Sequence, residues 1–221
     1  MRVTVNMSVE TVQALHNAGF FLYGFKAVEG PATGRPLVWF KNDTYSAVTN
    51  IVWEEVYQAY TSSSQIIPGG RVTGSFFIDI DPGQTLEVGV GGVGFVTPDG
   101  DPDAITIENT TTTEYTCGIS QLEEGEQKTL CAFPLFGMNA DLIVPISKVL
   151  LMFSTDPVDT GTVIMQAYSP GLLIDLTGVE EREVGYNING TWTYNSLWAQ
   201  PVSNGTDLVP LLITDGAGLA E

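Results

Sequence analysis

Residues 74 to 95 read GSFFIDIDPGQTLEVGVGGVGF, and the alternation within them decides how the rest of the chain is read. Phe76, Ile78 and Ile80 alternate with Phe77, Asp79 and Asp81. After Pro82-Gly83, Leu86, Val88 and Val90 alternate with Glu87 and Gly89. A period of two with one apolar side is the pattern of two strands that each bury one face. If the two paired as a hairpin with Ile80 facing Leu86, Asp79 would stand opposite Glu87, and like charges directly opposite are unfavourable. Either a cation sits between them, or Asp81-Pro82-Gly83 is an arch that carries the chain from one sheet to another. Pro-Gly suits a type II turn, whereas tight hairpins prefer the primed turns, so the arch is the expectation.

A chain of 221 residues with 43% hydrophobic composition is long and apolar enough for one β-rich domain spanning 1–221 with a real core, and it is not a disordered chain. Eight Lys and Arg against 26 Asp and Glu leave a formal charge of −18. That field repels phosphate backbones and anionic lipid, which argues against nucleic-acid partners. Neutral lipid, sugars, cations and basic proteins remain. The N-terminal MRVTVNMSVETVQ shows no apolar stretch of leader length, and runs such as Val149 to Phe153 fall far short of the roughly twenty residues of a membrane span. The expectation is a soluble protein without a signal peptide or transmembrane segment. On that reading the sequons at Asn6, Asn42, Asn109, Asn189 and Asn204 are idle turn and edge sequences.

Ser8 followed by Val9, Val12 and Leu15, with Gly19 beyond, predicts one short N-terminal helix, and it carries the only histidine, His16, read as a partly buried helix residue. Strand-like runs follow at Phe20 to Val28, Leu37 to Phe40 and Ser46 to Tyr60, where Trp53, Glu55 and Tyr57 share a face. Pro68-Gly69-Gly70 reads as a hairpin loop. The G-x-G-x-x-G match at Gly89, Gly91 and Gly94 is rejected as a dinucleotide site, because strand and turn residues follow it where a helix must begin.

Asp99, Asp101 and Asp103 alternate in DGDPDA, a spacing that can wrap calcium, although the glycine and glutamate of the helical calcium loop are missing. Calcium is accordingly the one candidate cofactor. Thr110 to Thr113 reads as a polar edge strand. With Glu123-Glu124-Gly125 as a three-residue loop, Leu122 faces Glu126, and the count along the ladder sets Cys117 opposite Cys131 at disulfide distance; two reduced thiols are the alternative.

Ala132 to Thr155 reads as several short pieces around the core strand Val149 to Phe153. Thr160 to Tyr168 and Leu172 to Thr177 read as strands, Glu180, Glu181 and Glu183 as an acidic loop, and Leu208 to Ile213 as a last strand. Asn189-Gly190 marks a two-residue hairpin, repeated in kind at Ser203 to Thr206. Around the first lie Tyr186, Trp192, Tyr194 and Trp198. About a dozen short strands with turns between them and no long repeat predict an all-β protein, a β-sandwich or Greek-key barrel with one short helix. The alternation of turns and Thr-rich edges is similar in style to β-sandwich lectins and cytolysins, although no motif carries the likeness.

One histidine leaves no base for a Ser or Cys hydrolase and no His/Cys zinc site. Carboxylates alone suffice for glycosidase or isomerase chemistry, and Asp79, Asp81, Glu54 and Glu55 are the candidates for it. The favoured reading is a recognition protein for a neutral glycan or a zwitterionic lipid surface, with Tyr186, Trp192, Tyr194 and Trp198 as the binding group. A structural protein that forms homo-oligomers through the Thr110 to Thr113 edge is the third reading.

Overall fold

The structure is a computed structural model and describes residues 1–123 and 126–215. In chain order the elements begin with β1 (Arg2–Asn6), α1 (Val9–Asn17), β2 (Phe21–Gly30), β3 (Arg35–Pro36), β4 (Phe40–Asn42), β5 (Val48–Val52) and β6 (Tyr57–Ser62). Next come β7 (Phe76–Ile80), β8 (Thr85–Val88), β9 (Gly94–Thr97), β10 (Ile105–Asn109), β11 (Tyr115–Glu123), β12 (Glu126–Thr129), β13 (Cys131–Leu135) and β14 (Ala140–Ser154). Last are β15 (Gly171–Asp175), β16 (Glu181–Tyr186), β17 (Trp192–Thr193), β18 (Ala199–Val202), the single turn α2 (Val209–Leu212) and β19 (Ile213–Asp215).

These strands form three sheets in an all-β, sandwich-like fold with one short helix at the N-terminal end and a single helical turn near the other. A four-stranded sheet runs β17-β16-β1-β5, and a six-stranded one runs β3-β13-β11-β6-β7 with β12 also on β11. The nine-stranded sheet runs β18-β15-β14-β10-β8-β9, while β2 pairs with β14 and with β4 and β19. The main core takes Val3 and Val5 from the first sheet, Ile80 and Ile119 from the second, and Leu22, Leu86 and Leu151 from the third. Strand β2 is buried on both sides, which is why it reads as a nearly unbroken apolar run. Leu22 and Val28 enter the main core, and Tyr23, Phe25 and Ala27 enter a second one closed by Ile164, Ala167, Leu208 and Leu212.

The arch is observed. Ile80 pairs with Tyr57 in the six-stranded sheet, and Leu86 pairs with Val96 and Ile107 in the nine-stranded sheet. Asp79 and Glu87 therefore never oppose each other; Asp79 instead faces Gln58, whose Nε2 donates to its Oδ1 at 2.7 Å. Beyond Val88 the alternation stops short of the expectation: Val90 to Gly92 is a turn, and Val90 points into solvent. Gly92, at φ +74, lies under the Tyr115 ring, and a Cβ on Gly94 would sit 2.0 Å from the Glu87 carbonyl oxygen. The glycines are thus spent on closing a tight hairpin between β8 and β9.

Helix α1 forms as read, with Ser8 Oγ accepting from the Thr11 N–H at 3.2 Å. His16 is exposed rather than half-buried, and its ring lies 4.4 Å from that of Tyr45. Several local readings are corrected by partners distant in the chain. The acidic loop is strand β16, parallel to the unforeseen β1, with Glu181 taking Arg2 Nε at 3.0 Å and Glu183 taking Asn6 Nδ2 at 2.6 Å. Ser46 to Tyr60 breaks at Trp53 to Val56 into strands of two different sheets.

The Pro68-Gly69 turn forms, yet its flanks do not pair with each other, and Arg71 bridges Thr162 instead. Thr110 to Thr113 is a bend, because Asn109 Oδ1 accepts from the Thr111 N–H at 3.0 Å and Asn109 Nδ2 donates to the Thr113 carbonyl at 2.7 Å; no edge strand exists there for assembly. Ala140 to Ser154 is a single strand with a register shift between Pro145 and Val149. Thr160 to Tyr168 makes only isolated bridges, and Leu208 to Ile213 is mostly α2. The Asn189-Gly190 hairpin is longer than two residues, with Asn187 donating to the Thr191 carbonyl at 3.1 Å to close it.

Candidate functional site

The four aromatic residues singled out around the Asn-Gly turn divide into two pairs. Tyr186 and Trp192 face each other across β16 and β17, and both rings turn inward. Their centroids are 4.8 Å apart and lie 4.5 and 5.8 Å from that of Phe153, so they fill core. Tyr194 and Trp198 belong to the loop that follows. Asn195 shapes this loop by accepting at Oδ1 from the Leu197 N–H at 2.9 Å and at its carbonyl from the Ala199 N–H at 3.0 Å. The loop leaves Leu197 89% exposed and Trp198 half-buried at the entrance to β18.

Tyr194 and Trp198 wall an open groove of about 390 Å³, whose polar lining comes from Asn6, Glu183, Thr193 and Asn195. On its other side Trp198 borders a hollow of about 210 Å³ shared with Lys148, Asp175 and Gln200. The Arg182 guanidinium lies 4.7 Å from the Trp198 ring centre, and its Nε donates to the Asp175 carbonyl at 3.2 Å, so the indole is held by a cation while still lining both hollows. An aromatic wall beside an amide, a hydroxyl and a carboxylate can stack against the C–H face of a sugar and accept its hydroxyl protons.

A hollow of about 440 Å³ between Arg35, Ser63, Glu114 and Tyr115 is larger, and nothing in the sequence drew attention to it. Much of its polar lining is already engaged. Ser62 Oγ donates to the Thr73 carbonyl at 2.6 Å, Thr116 Oγ1 donates to the Ser64 carbonyl at 2.6 Å, and Arg35 Nη1 donates to the Thr33 carbonyl at 3.0 Å.

Sequence reasoning missed the most unusual charge in the molecule. Lys26, in the middle of β2, is 2% exposed; its Nζ lies 4.3 Å from the Trp53 ring centre, 5.4 Å from that of Trp39 and 3.3 Å from Glu55 Oε1. The Trp53 Nε1 donates to Glu55 Oε1 at 2.6 Å, the Tyr57 hydroxyl donates to Oε2, and Gln121 Nε2 reaches Oε2 at 3.4 Å. Burial pushes the Lys26 amine down to about 8 against the opposing pull of Glu55. Burial raises Glu55, but Lys26, Tyr57 and Trp53 outweigh it and hold the carboxyl below its ordinary value. Among the described residues, Trp39 Nε1 and Gln121 Oε1 are buried here without a hydrogen-bond partner. The shared face of Trp53, Glu55 and Tyr57 was legible in the sequence. The lone Lys inside FFLYGFKAV was the further signal, because a charge on a strand buried on both sides needs a partner.

Among the described residues no three of His, Cys, Asp and Glu come together as metal ligands. Asp99, Asp101 and Asp103 lie in a turn, in which Asp101 Oδ1 accepts from the Asp103 N–H at 3.1 Å. Cys117 stands opposite Phe133, and Cys131 stands opposite Pro36. The ladder pairs Leu122 with Gln127, one step from the expected register, and the step between Thr129 and Cys131 adds another; Glu124 and Gly125 of the expected loop lie outside the described residues. Both thiols are free and buried, and Cys117 Sγ approaches Asp141 Oδ2 at 3.6 Å. Burial pushes Cys131 up to about 12 and Cys117 well above its ordinary value, so neither is a ready nucleophile.

The four carboxylates considered for acid–base work have separate surroundings. Asp79 is engaged by Gln58, Asp81 sits in the arch, Glu54 is exposed, and Glu55 is bound to Lys26. No described helix is long and apolar enough to cross a membrane. Compared with family models, curated proteins and solved structures, the chain matches none.

Proposed function

We propose that this is a recognition protein without catalytic activity, and that it binds a neutral glycan in the groove walled by Tyr194 and Trp198. The observation that carries the reading is the position of Trp198, held by Arg182 on one side and bordering two open hollows. Around it stand short polar groups suited to hydroxyls, and the formal charge of −18 disfavours anionic ligands. The engagement of Asp79 by Gln58 and of Glu55 by Lys26, and the high-lying thiols, favour binding over turnover.

The test is a titration of neutral mono- and oligosaccharides followed by intrinsic tryptophan fluorescence and calorimetry. A saturable signal from at least one sugar is expected, with Trp198→Ala weakening binding at least tenfold and Trp192→Phe leaving it close to wild type. Sugar binding that survives Trp198→Ala, or no binding across the panel, overturns the assignment.

A further inference from the structure

At the β9 edge of the nine-stranded sheet, three loops meet in a tip that carries no charge. The first is the β8–β9 hairpin, which leaves Val90 87%, Val93 53% and Phe95 58% exposed. The second is the β13–β14 turn, with Phe136 at 47% and Met138 at 70%. The third is the threonine bend at residues 110–113. Hydrogen bonds stitch them together: the Thr110 N–H donates to the Val88 carbonyl at 3.0 Å, the Met138 N–H to the Thr111 carbonyl at 2.8 Å, and Asn109 Nδ2 to the Phe136 carbonyl at 3.1 Å.

Residues 88–97, 109–113 and 136–139 contain no Asp, Glu, Lys, Arg or His, in a chain with 34 Lys, Arg, Asp and Glu residues (8 + 26). Met138 is also the one described non-glycine residue with a left-handed backbone, φ 55. Glu87, Glu108 and Glu114 immediately flank the uncharged segments.

We infer that this tip is a docking surface for a zwitterionic, phosphatidylcholine-type bilayer. Exposed aliphatic and aromatic side chains on loops without charge lose little on entering the interfacial zone and gain by leaving water. The flanking carboxylates then lie at the level of the choline ammonium groups, which they attract, whereas an anionic headgroup layer repels both them and the net charge of −18. The same charge opposes a second copy of the chain as the occupant. The inference stands apart from the glycan groove, because that groove is lined by β1, β16, β17 and the loop after them, and none of its lining residues belongs to the tip.

Flotation with phosphatidylcholine vesicles tests it. The wild-type protein should float with the vesicles, and bound protein should fall as phosphatidylserine replaces part of the lipid. The double variant Val90→Glu/Phe95→Glu should lose at least tenfold in partitioning at unchanged melting temperature, while Trp198→Ala floats as wild type. A Phe95→Trp variant should shift its emission to the blue with vesicles and be quenched by brominated phosphatidylcholine. Absence of flotation, or flotation that survives the double variant, overturns the inference. So does a blue shift that depends on protein concentration without lipid, which would mark the tip as a contact between copies.

Discussion

Two indoles in this protein hold a cation at nearly the same distance, Trp53 with Lys26 at 4.3 Å and Trp198 with Arg182 at 4.7 Å, yet burial gives them opposite work. The first is buried, and its ammonium is matched by the Glu55 carboxylate, which reaches it from an exposed residue and which three further side chains hold in place. The second is half-buried and lines two open hollows, so the same contact leaves part of its ring accessible. A cation beside an aromatic ring therefore says little about function until the free side of the ring is known.

The sharpest way to break the contrast is to remove the carboxylate that matches the buried ammonium, Glu55, whose own side chain is 35% exposed. Glu55→Ala leaves Lys26 charged and unmatched in the core and is expected to cost about 3 to 5 kcal/mol at neutral pH by denaturant unfolding, whereas Lys26→Met with Glu55→Leu should restore much of it. Lys26 is already held down to about 8 with Glu55 present, and Glu55 raises it, so its removal takes the amine lower. A lysine whose folded value lies below its unfolded one costs stability at low pH, and the cost fades as pH rises toward the ordinary 10.5. Glu55→Ala should thus regain stability between pH 7 and 10 relative to wild type. A loss that does not change with pH would mean that Lys26 is not the group left unmatched.

A smaller effect comes from Asp141, a buried carboxyl beside the Cys117 thiol. Burial pushes Asp141 up to about 6 from 3.8, against the lowering by the Cys117 thiol. Because the folded value is raised, the stability contributed by the protonated carboxyl is fully present below about 4 and is lost as pH rises through about 6. Asp141→Asn, which removes that dependence, should gain on wild type by about 1 to 3 kcal/mol between pH 4 and 6.5. Parallel stability curves for the two proteins would contradict it.

The smallest expected change lies on the open side of the comparison. Trp198→Ala should alter stability by about 1 kcal/mol or less, since its ring is half-buried, although it removes sugar binding. Should Trp198→Ala destabilise as much as Glu55→Ala, the groove would be a structural seam and the two indoles would not differ in kind.

The features legible along the chain were those that neighbours in sequence decide. Alternation in residues 74–95 together with Pro82-Gly83 foretold the arch between sheets, and Ser8, Val12, Leu15 and Gly19 foretold α1, because period and capping are local. The all-β class followed from the same patterns. Strand partners were not legible, since β1 meets β16 about 180 residues away and a two-residue slip separates Cys117 from Cys131 in the ladder. Nor could the aromatic group be sorted into core and surface: Tyr186, Trp192, Tyr194 and Trp198 are alike in chemistry and close in sequence. Which rings meet Phe153 and which meet solvent depends on the side from which β14 approaches them. Sequence by itself determined where the chain turns and which residues must leave water, because those are single-segment free energies. The tertiary structure alone decided which buried charge meets which partner and which ring keeps a free face, because those depend on distances between segments that no local pattern encodes.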